Sequence, residues 1–149
     1  MLELDTLRGR VETHLNELLP AQSSIAQPML DAMRHAVLGG GKRMRPMFAC
    51  ASCEAFGGEL QAALVSGCAL EFIHSYSLIH DDLPAMDDDD IRHGQPSTHI
   101  AFGEANAILA GDSLHSLAFQ AVVDSDELVD ASKLRIIPVS YTHLEPTRP

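Results

Sequence analysis

The sequence predicts an all-α protein built as a helical bundle. Three observations carry this. Apolar residues recur at three- and four-residue steps in several segments, the period of a helix with one buried stripe. No segment alternates polar and apolar residues as a half-buried strand would. One long segment, residues 60–82, is apolar on nearly every side, and such a helix belongs in the middle of a bundle.

The elements follow in order. Leu4, Leu7, Val11, Leu15 and Leu18 form a single stripe on a helix over about residues 2–19. Pro20 stops it, because the ring removes a donor and clashes with the preceding turn. Ser23 or Ser24 is placed to cap a second helix, roughly 25–38, with Met29, Met33, Ala36 and Val37 inward. Gly39, Gly40 and Gly41 end it, since glycine suits a helix C-terminus. A third helix, about 46–57, carries Pro46 in its first turn and closes at Gly57–Gly58. The fourth, about 60–82, includes Leu64, Val65, Leu70, Phe72, Ile73, Leu78 and Ile79, and Pro84 breaks it. A loop then carries Asp87–Gly94, and a last helix spans roughly 104–123. Beyond Val123 the character changes. Asp124–Asp130 reads as a loop and helix start, while Lys133–Pro149 holds three prolines and no period. Residues 1–122 are thus expected to carry the function. Residues 123–149 are read as a divergent, non-native or disordered tail.

Composition narrows the function. A chain of 149 residues with 46% apolar content is one domain, or part of one, with a real core. A net charge of −11 argues against nucleic acid, which requires a basic face. No polybasic patch addresses a membrane. Ala105–Val123 is very apolar, but Asp112, His115 and Gln120 interrupt it, so it is expected to be buried and not a membrane span. Three cysteines without a signal peptide fit reduced thiols in the cytoplasm. Cys50-x-x-Cys53 lacks the second pair a structural zinc site needs and reads as core packing.

Two charged runs carry the chemistry. Ile73–Gly94 reads IHSYSLIHDDLPAMDDDDIRHG, in which Asp81, Asp82, Asp87, Asp88, Asp89 and Asp90 end an apolar helix. Crowded carboxylates raise one another's pKa unless cations share the site. Mg²⁺ is the expected cation, because it takes oxygen ligands from one or two carboxylates together with phosphate and water. The plainer alternative is a solvated acidic turn. Gly39–Pro46 reads GGGKRMRP, glycine-rich and basic. Lys42 and Arg45 at a helix start make a good phosphate site, against the alternative of an exposed basic loop. His74, Ser77 and Asp81 share one helical face, so an imidazole and a carboxylate look into one cavity; alternatively, His74 is a satisfied core histidine. Asp81 and Asp87 would diverge on an unbroken helix, but Pro84 lets the chain fold back so that both reach one metal cluster. Asp82 and Asp88–Asp90 support that pair or are solvated. Arg92 lies close enough to contact a phosphate held by metal. Together the runs suggest a diphosphate between cationic side chains and Mg²⁺.

These residues resemble the trans-isoprenyl diphosphate synthase family, and within it the bacterial farnesyl diphosphate synthases. The matching pieces are GGGKRMRP at 39–46, EFIHSYSLIHDDLPAMDDDDIRHG at 71–94 and FGEANAILAGDSL at 102–114, and their spacing also fits. The resemblance covers about residues 1–122 and implies the first half of a bundle of the isoprenoid synthase type. It implies that Lys42, Arg45 and His74 hold the diphosphate of isopentenyl diphosphate. Asp81 and Asp87 would be the Mg²⁺ ligands, and Arg92 would contact the allylic diphosphate. His93 stands where the family usually has a second arginine that helps bind isopentenyl diphosphate. Neutral imidazole lacks the guanidinium fork, so weaker binding is expected there. Tyr76, five positions before Asp81, resembles a floor that stops chain growth at fifteen carbons; alternatively it is an ordinary core aromatic.

The implied reaction is a Mg²⁺-dependent head-to-tail condensation of isopentenyl diphosphate with dimethylallyl or geranyl diphosphate, giving farnesyl diphosphate. A homodimer is implied for the family chain. Family members also carry a second aspartate-rich motif and later lysines, which residues 123–149 do not supply, so this polypeptide alone is expected not to turn over. The alternatives are a geranylgeranyl diphosphate synthase and a non-catalytic partner subunit of a prenyl synthase.

Overall fold

A computed structural model describes residues 3–22 and 25–142 of the chain. Among them the protein is all-α: helices α1 (Leu4–Leu18), α2 (Gln27–Leu38), α3 (Met44–Ala55), α4 (Leu60–Asp81), α5 (Thr98–Phe102), α6 (Glu104–Asp124) and α7 (Asp130–Thr142). One small hairpin, β1 (Ile91–Arg92) with β2 (Gln95–Pro96), interrupts the series.

α4 is the centre of the bundle. Its residues are apolar all round, and it packs against α3, α6, α1 and α2. By length and composition it could cross a membrane, but most of its apolar window is buried inside the bundle. Phe72, Leu64 and Cys68 from α4 meet Val11 and Leu15 of α1, Val37 of α2 and Leu114 of α6 in one core. The stripe read from Leu7, Val11 and Leu15 is the buried face of α1. α3 approaches α4 closely enough that a Cβ on Gly67 would sit 2.6 Å from Pro46 Cα. Any side chain there would push the two helices apart.

Most boundaries agree with the periodicity to within two residues. α3 starts earlier than Pro46, at Met44, with Arg43 as N-cap in the left-handed region (φ 51°). Pro46 still falls in the first turn, where the amide has no intrahelical partner. The proposed caps Ser23 and Ser24 lie outside the described residues, and Ala26 occupies the N-cap position of α2. Two elements are unexpected: a hairpin that begins inside the loop read at Asp87–Gly94, and a helix between that loop and Gly103. The hairpin is too short for an alternating pattern to register, and α5 is a five-residue turn of helix. A helix does start at Asp130, the end of the segment read as a loop and helix start, and it runs through Pro138 to Thr142 into the stretch read as aperiodic. It packs on α6, with Ile136 and Ile137 against the core, and Lys133 Nζ donates to the Val123 carbonyl at 2.7 Å near the end of α6.

Candidate active site

The basic side of the site begins at the glycine turn. Gly40 (φ 126°) and Gly41 (φ 118°) adopt conformations that disfavour a side chain, and they carry the chain from the end of α2 to α3 within a few residues. Lys42 and Arg45 emerge from this turn, exposed. With His74 and His93 they line a cavity of about 280 Å³ that also touches Ser75 and Glu71. Half-burial and the positive charge of Arg45, then of His93, Arg92 and Arg43, push the His74 imidazolium pKa down to about 4. The imidazole is therefore neutral at pH 7 and stands among cations. A phosphate entering here would relieve that repulsion and meet several donors at once.

Arg43 behaves differently from its neighbours. Its side chain turns into the protein and is 3% exposed. Nε donates to Glu12 Oε1 at 2.6 Å, Nη1 to Glu71 Oε1 at 3.3 Å, and Nη2 to Glu12 Oε2 at 3.2 Å and to the Val37 carbonyl at 2.6 Å. Burial opposes its charge, but Glu12 and Glu71 outweigh that and hold its pKa above the ordinary value.

The acidic side begins where α4 ends. Asp81 is its last residue, and the chain turns through Pro84. The Asp87 amide donates to the Asp81 carbonyl at 2.8 Å, and the amides of Met86 and Asp88 donate to the Leu83 carbonyl at 2.8 and 3.2 Å. These bonds close a compact loop, so Asp81 and Asp87 issue from one turn, as the break at Pro84 implied. Asp81 lines a large cavity of about 750 Å³ with Arg45, His74, Tyr76, Ser77 and His80. Arg45 and His74 border both cavities, which joins the basic side to the acidic one.

Asp82 faces inward, 2% exposed, and takes the Arg92 guanidinium. Nε of Arg92 donates to its two oxygens at 3.1 and 3.2 Å, and Nη2 donates to Asp82 Oδ1 and, at 3.1 Å, to Asp89 Oδ2. The hydrogen bonds that Arg92 donates to Asp82 are the main reason that its pKa lies above the usual value. Asp82 and Asp89 are therefore the structural members of the acid run.

The hairpin links the two sides. Its two-residue turn, His93–Gly94, has positive φ at both positions (53° and 79°), as a tight turn matching the strand twist requires. Gln95 Nε2 donates to the Gly39 carbonyl at 2.6 Å, and His35 Nε2 pairs with the Pro96 carbonyl at 2.9 Å. At its other end the Ser97 amide donates to the Asp90 carbonyl at 2.9 Å. His93 is thereby held over the glycine turn, with its Cβ 3.8 Å from where a Cβ on Gly40 would lie.

Tyr76 sits lower on the same cavity wall. Its ring meets His80 edge-on with centroids 4.9 Å apart and His115 of α6 at 5.1 Å, and His115 meets Phe119 at 5.0 Å. The sequence marks His115 only as a polar break in an apolar helix. Its four-residue spacing to Phe119 was the available sign that the two share a face.

Asp81 and Asp87, the expected Mg²⁺ ligands, offer hard carboxylate oxygens from one turn. Asp81 lines the cavity shared with Arg45 and His74, and Asp87 is not among the residues lining it. Among the described residues no three His, Cys, Asp or Glu side chains gather as a metal cage. That donor set fits an ion sharing its shell with water and phosphate, as Mg²⁺ does.

An all-α bundle that places a proline-broken aspartate turn beside a glycine-rich basic turn defines a class, and comparison with known proteins gives it a name. The polyprenyl synthetase family model matches residues 26–143, and the chain belongs to that family. It is 46% identical over 134 residues to a farnesyl diphosphate synthase of Haemophilus influenzae, covering 87% of this chain and 45% of that one. It is also 46% identical over 122 residues to a chloroplastic geranylgeranyl pyrophosphate synthase of Capsicum annuum, covering 80% of this chain and 33% of that one. The crystal structure of an FPP/GFPP synthase from Zymomonas mobilis, without ligand, superposes with a TM-score of 0.90 at 38% identity, over 95% of this chain and 51% of that one. The chain thus spans about half the length of these proteins or less.

Proposed function

We propose that the chain carries the substrate-binding face of a prenyltransferase that joins isopentenyl diphosphate to dimethylallyl or geranyl diphosphate, giving farnesyl diphosphate. The observation that carries this is the pair of cavities sharing Arg45 and His74, with Lys42 and His93 on one and Asp81 and Tyr76 on the other. Lys42, Arg45 and His74 hold the diphosphate of isopentenyl diphosphate, and His93 covers it from the hairpin. Asp81 and Asp87 would hold Mg²⁺, which when bound supplies positive charge to the allylic diphosphate. Arg92 contacts that diphosphate while Asp82 and Asp89 hold its guanidinium in place. Charge building on the leaving diphosphate is then met by fixed cations. The carbon–oxygen bond ionises and releases the diphosphate, the isopentenyl double bond attacks the allylic cation, and the resulting cation gives a proton to the departed diphosphate. The apolar wall of Ile73, Leu70 and Ile108 keeps water from the cation.

Tyr76, braced by His80 and His115, closes the cavity below and limits the product to fifteen carbons. Equal identity to a geranylgeranyl synthase keeps a twenty-carbon product as the second reading. The burial of α4 supports a bundle core over a membrane span, and we place the protein in the cytoplasm as a homodimer at the relatives' length. We read the 149-residue polypeptide alone as inactive, and the presence of both the Asp81/Asp87 and the Lys42/Arg45 sets favours part of an enzyme over a merely regulatory subunit.

The test is condensation of labelled isopentenyl diphosphate with geranyl diphosphate and Mg²⁺, by a chain of the relatives' length carrying residues 1–122. Farnesyl diphosphate is the expected product, and Tyr76→Ala is expected to release longer chains. No Mg²⁺-dependent condensation sinks the reading. Unchanged product length in the variant sinks the role of Tyr76.

A further inference from the structure

Arg43 and Glu71 line the cationic cavity, yet four of the five N–H donors of Arg43 are committed inward. Its fork is spent on α1 through both oxygens of Glu12, on the end of α2 through the Val37 carbonyl, and on α4 through Glu71. Arg43 is itself the N-cap of α3. One side chain therefore ties four helices at the point where the glycine turn crosses them. The turn is laid on the guanidinium: a Cβ on Gly41 would stand 3.2 Å from Arg43 Nη1. Glu71 lines the cavity, is 4% exposed, and its Oε2 has no hydrogen-bond partner. Arg43 is thus the cation that compensates a buried carboxylate facing an anion site.

We infer that this network is the positioning element of the cationic cavity, fixing the glycine turn so that Lys42 and Arg45 meet the same diphosphate as His74. The inference rests on the reading of that cavity as a diphosphate site. Arg43 acts through its neighbours, since Glu12, Glu71 and the Val37 carbonyl hold four of its five N–H groups. Lysine cannot replace it, because an ammonium has no planar fork with which to hold Glu12, Glu71 and Val37 together.

Glu12→Gln separates positioning from simple charge. Glu12 lies on α1 and is half-exposed, so its loss leaves the core intact. Removing a negative charge near an anion site strengthens anion binding by Coulomb's law alone. Loosening the brace weakens it. The measurement is calorimetric titration of inorganic pyrophosphate, without metal, into the 149-residue chain, well below each variant's thermal midpoint. Wild type is expected to bind, and both Glu12→Gln and Arg43→Lys are expected to bind roughly tenfold more weakly, the scale of a small displacement of oriented groups. Glu12→Gln carries the test if Arg43→Lys fails to fold. Either folded variant binding as tightly as wild type, or more tightly, overturns the inference, as does a lowered thermal midpoint with unchanged affinity. If wild type itself takes up no pyrophosphate, the diphosphate reading of the cavity falls first and this inference falls with it.

Discussion

The basic turn and the acidic turn are built alike in one respect and oppositely in another. Each run of like charges gives one member to the fold: Arg43 from GGGKRMRP, 3% exposed, and Asp82 from the aspartate run, 2% exposed. Their partners differ. Arg43 is held by carboxylates that belong to the scaffold, Glu12 and Glu71. Asp82 is held by Arg92, the residue proposed to contact the allylic diphosphate. Brace and binding are therefore separate on the basic side and shared on the acidic side. On the proposed reading the basic cavity can be fixed before any ligand arrives, whereas Arg92 would meet a diphosphate while still tied to Asp82 and Asp89.

The sharpest break of this comparison is between Asp81 and Asp82, adjacent in sequence and opposite in role. In a chain of the relatives' length, Asp81→Asn or Asp87→Asn is expected to lower kcat by about 10²–10³-fold, the cost of losing one preorganised electrostatic contact to a developing charge. Asp81→Asn should unfold in denaturant at nearly the wild-type midpoint, since the loop is closed by the backbone amides of Met86, Asp87 and Asp88. A midpoint that collapses in Asp81→Asn, with the rate per folded enzyme unchanged, would exchange the two roles.

Asp82→Asn is expected to do the reverse. The amide keeps the volume but loses the charge that pairs with Arg92. The loss is about 1–3 kcal/mol of unfolding free energy, the range for a hydrogen bond to a charged group left poorly partnered. It sits at the lower end, because the Arg92 side chain is a third exposed and screened by water. Urea denaturation measures it. The affinity for an allylic diphosphate should fall with it, since Arg92 loses its anchor. Affinity held at the wild-type value would mean that brace and binding are separate on this side too.

Why these roles were only partly readable in the chain follows from where the information lies. The apolar stripes of α1 and the all-round apolar α4 are local patterns, and so are the two charged runs and the break at Pro84. Each could be read from a short window. Arg43 could not. Lys42, Arg43 and Arg45 look alike in sequence, and the one that turns inward is chosen by Glu12 and Glu71, 31 and 28 residues away. The same holds for Asp82, whose burial depends on a hairpin that folds Arg92 back ten residues later. That hairpin is two residues a side, below the length at which alternation can be seen, although Gly94 marked a turn. A helix start is legible at Asp124–Asp130, but its continuation to Thr142 escaped notice because Pro138 disfavours a helix locally, and its packing on α6 is a tertiary term that propensity does not contain.

The smallest expected effect belongs to His74, and it tests whether the basic cavity is assembled before ligand arrives. Burial and the cations around it hold its folded pKa at about 4, below the unfolded value of about 6.5. The unfolded chain therefore binds the proton more tightly. The stability linked to this group is fully present above pH 6.5 and is lost as pH falls toward 4. The difference in denaturation midpoint between wild type and His74→Gln should change in that window and be flat above it. Pyrophosphate brings negative charge beside the ring and favours the imidazolium, so the His74 resonance should titrate at higher pH with the anion bound than without it. A free-state titration near pH 6.5 would mean that Arg45, His93, Arg92 and Arg43 do not converge on this imidazole until a diphosphate gathers them, and the contrast between a preset basic side and a shared acidic side would disappear.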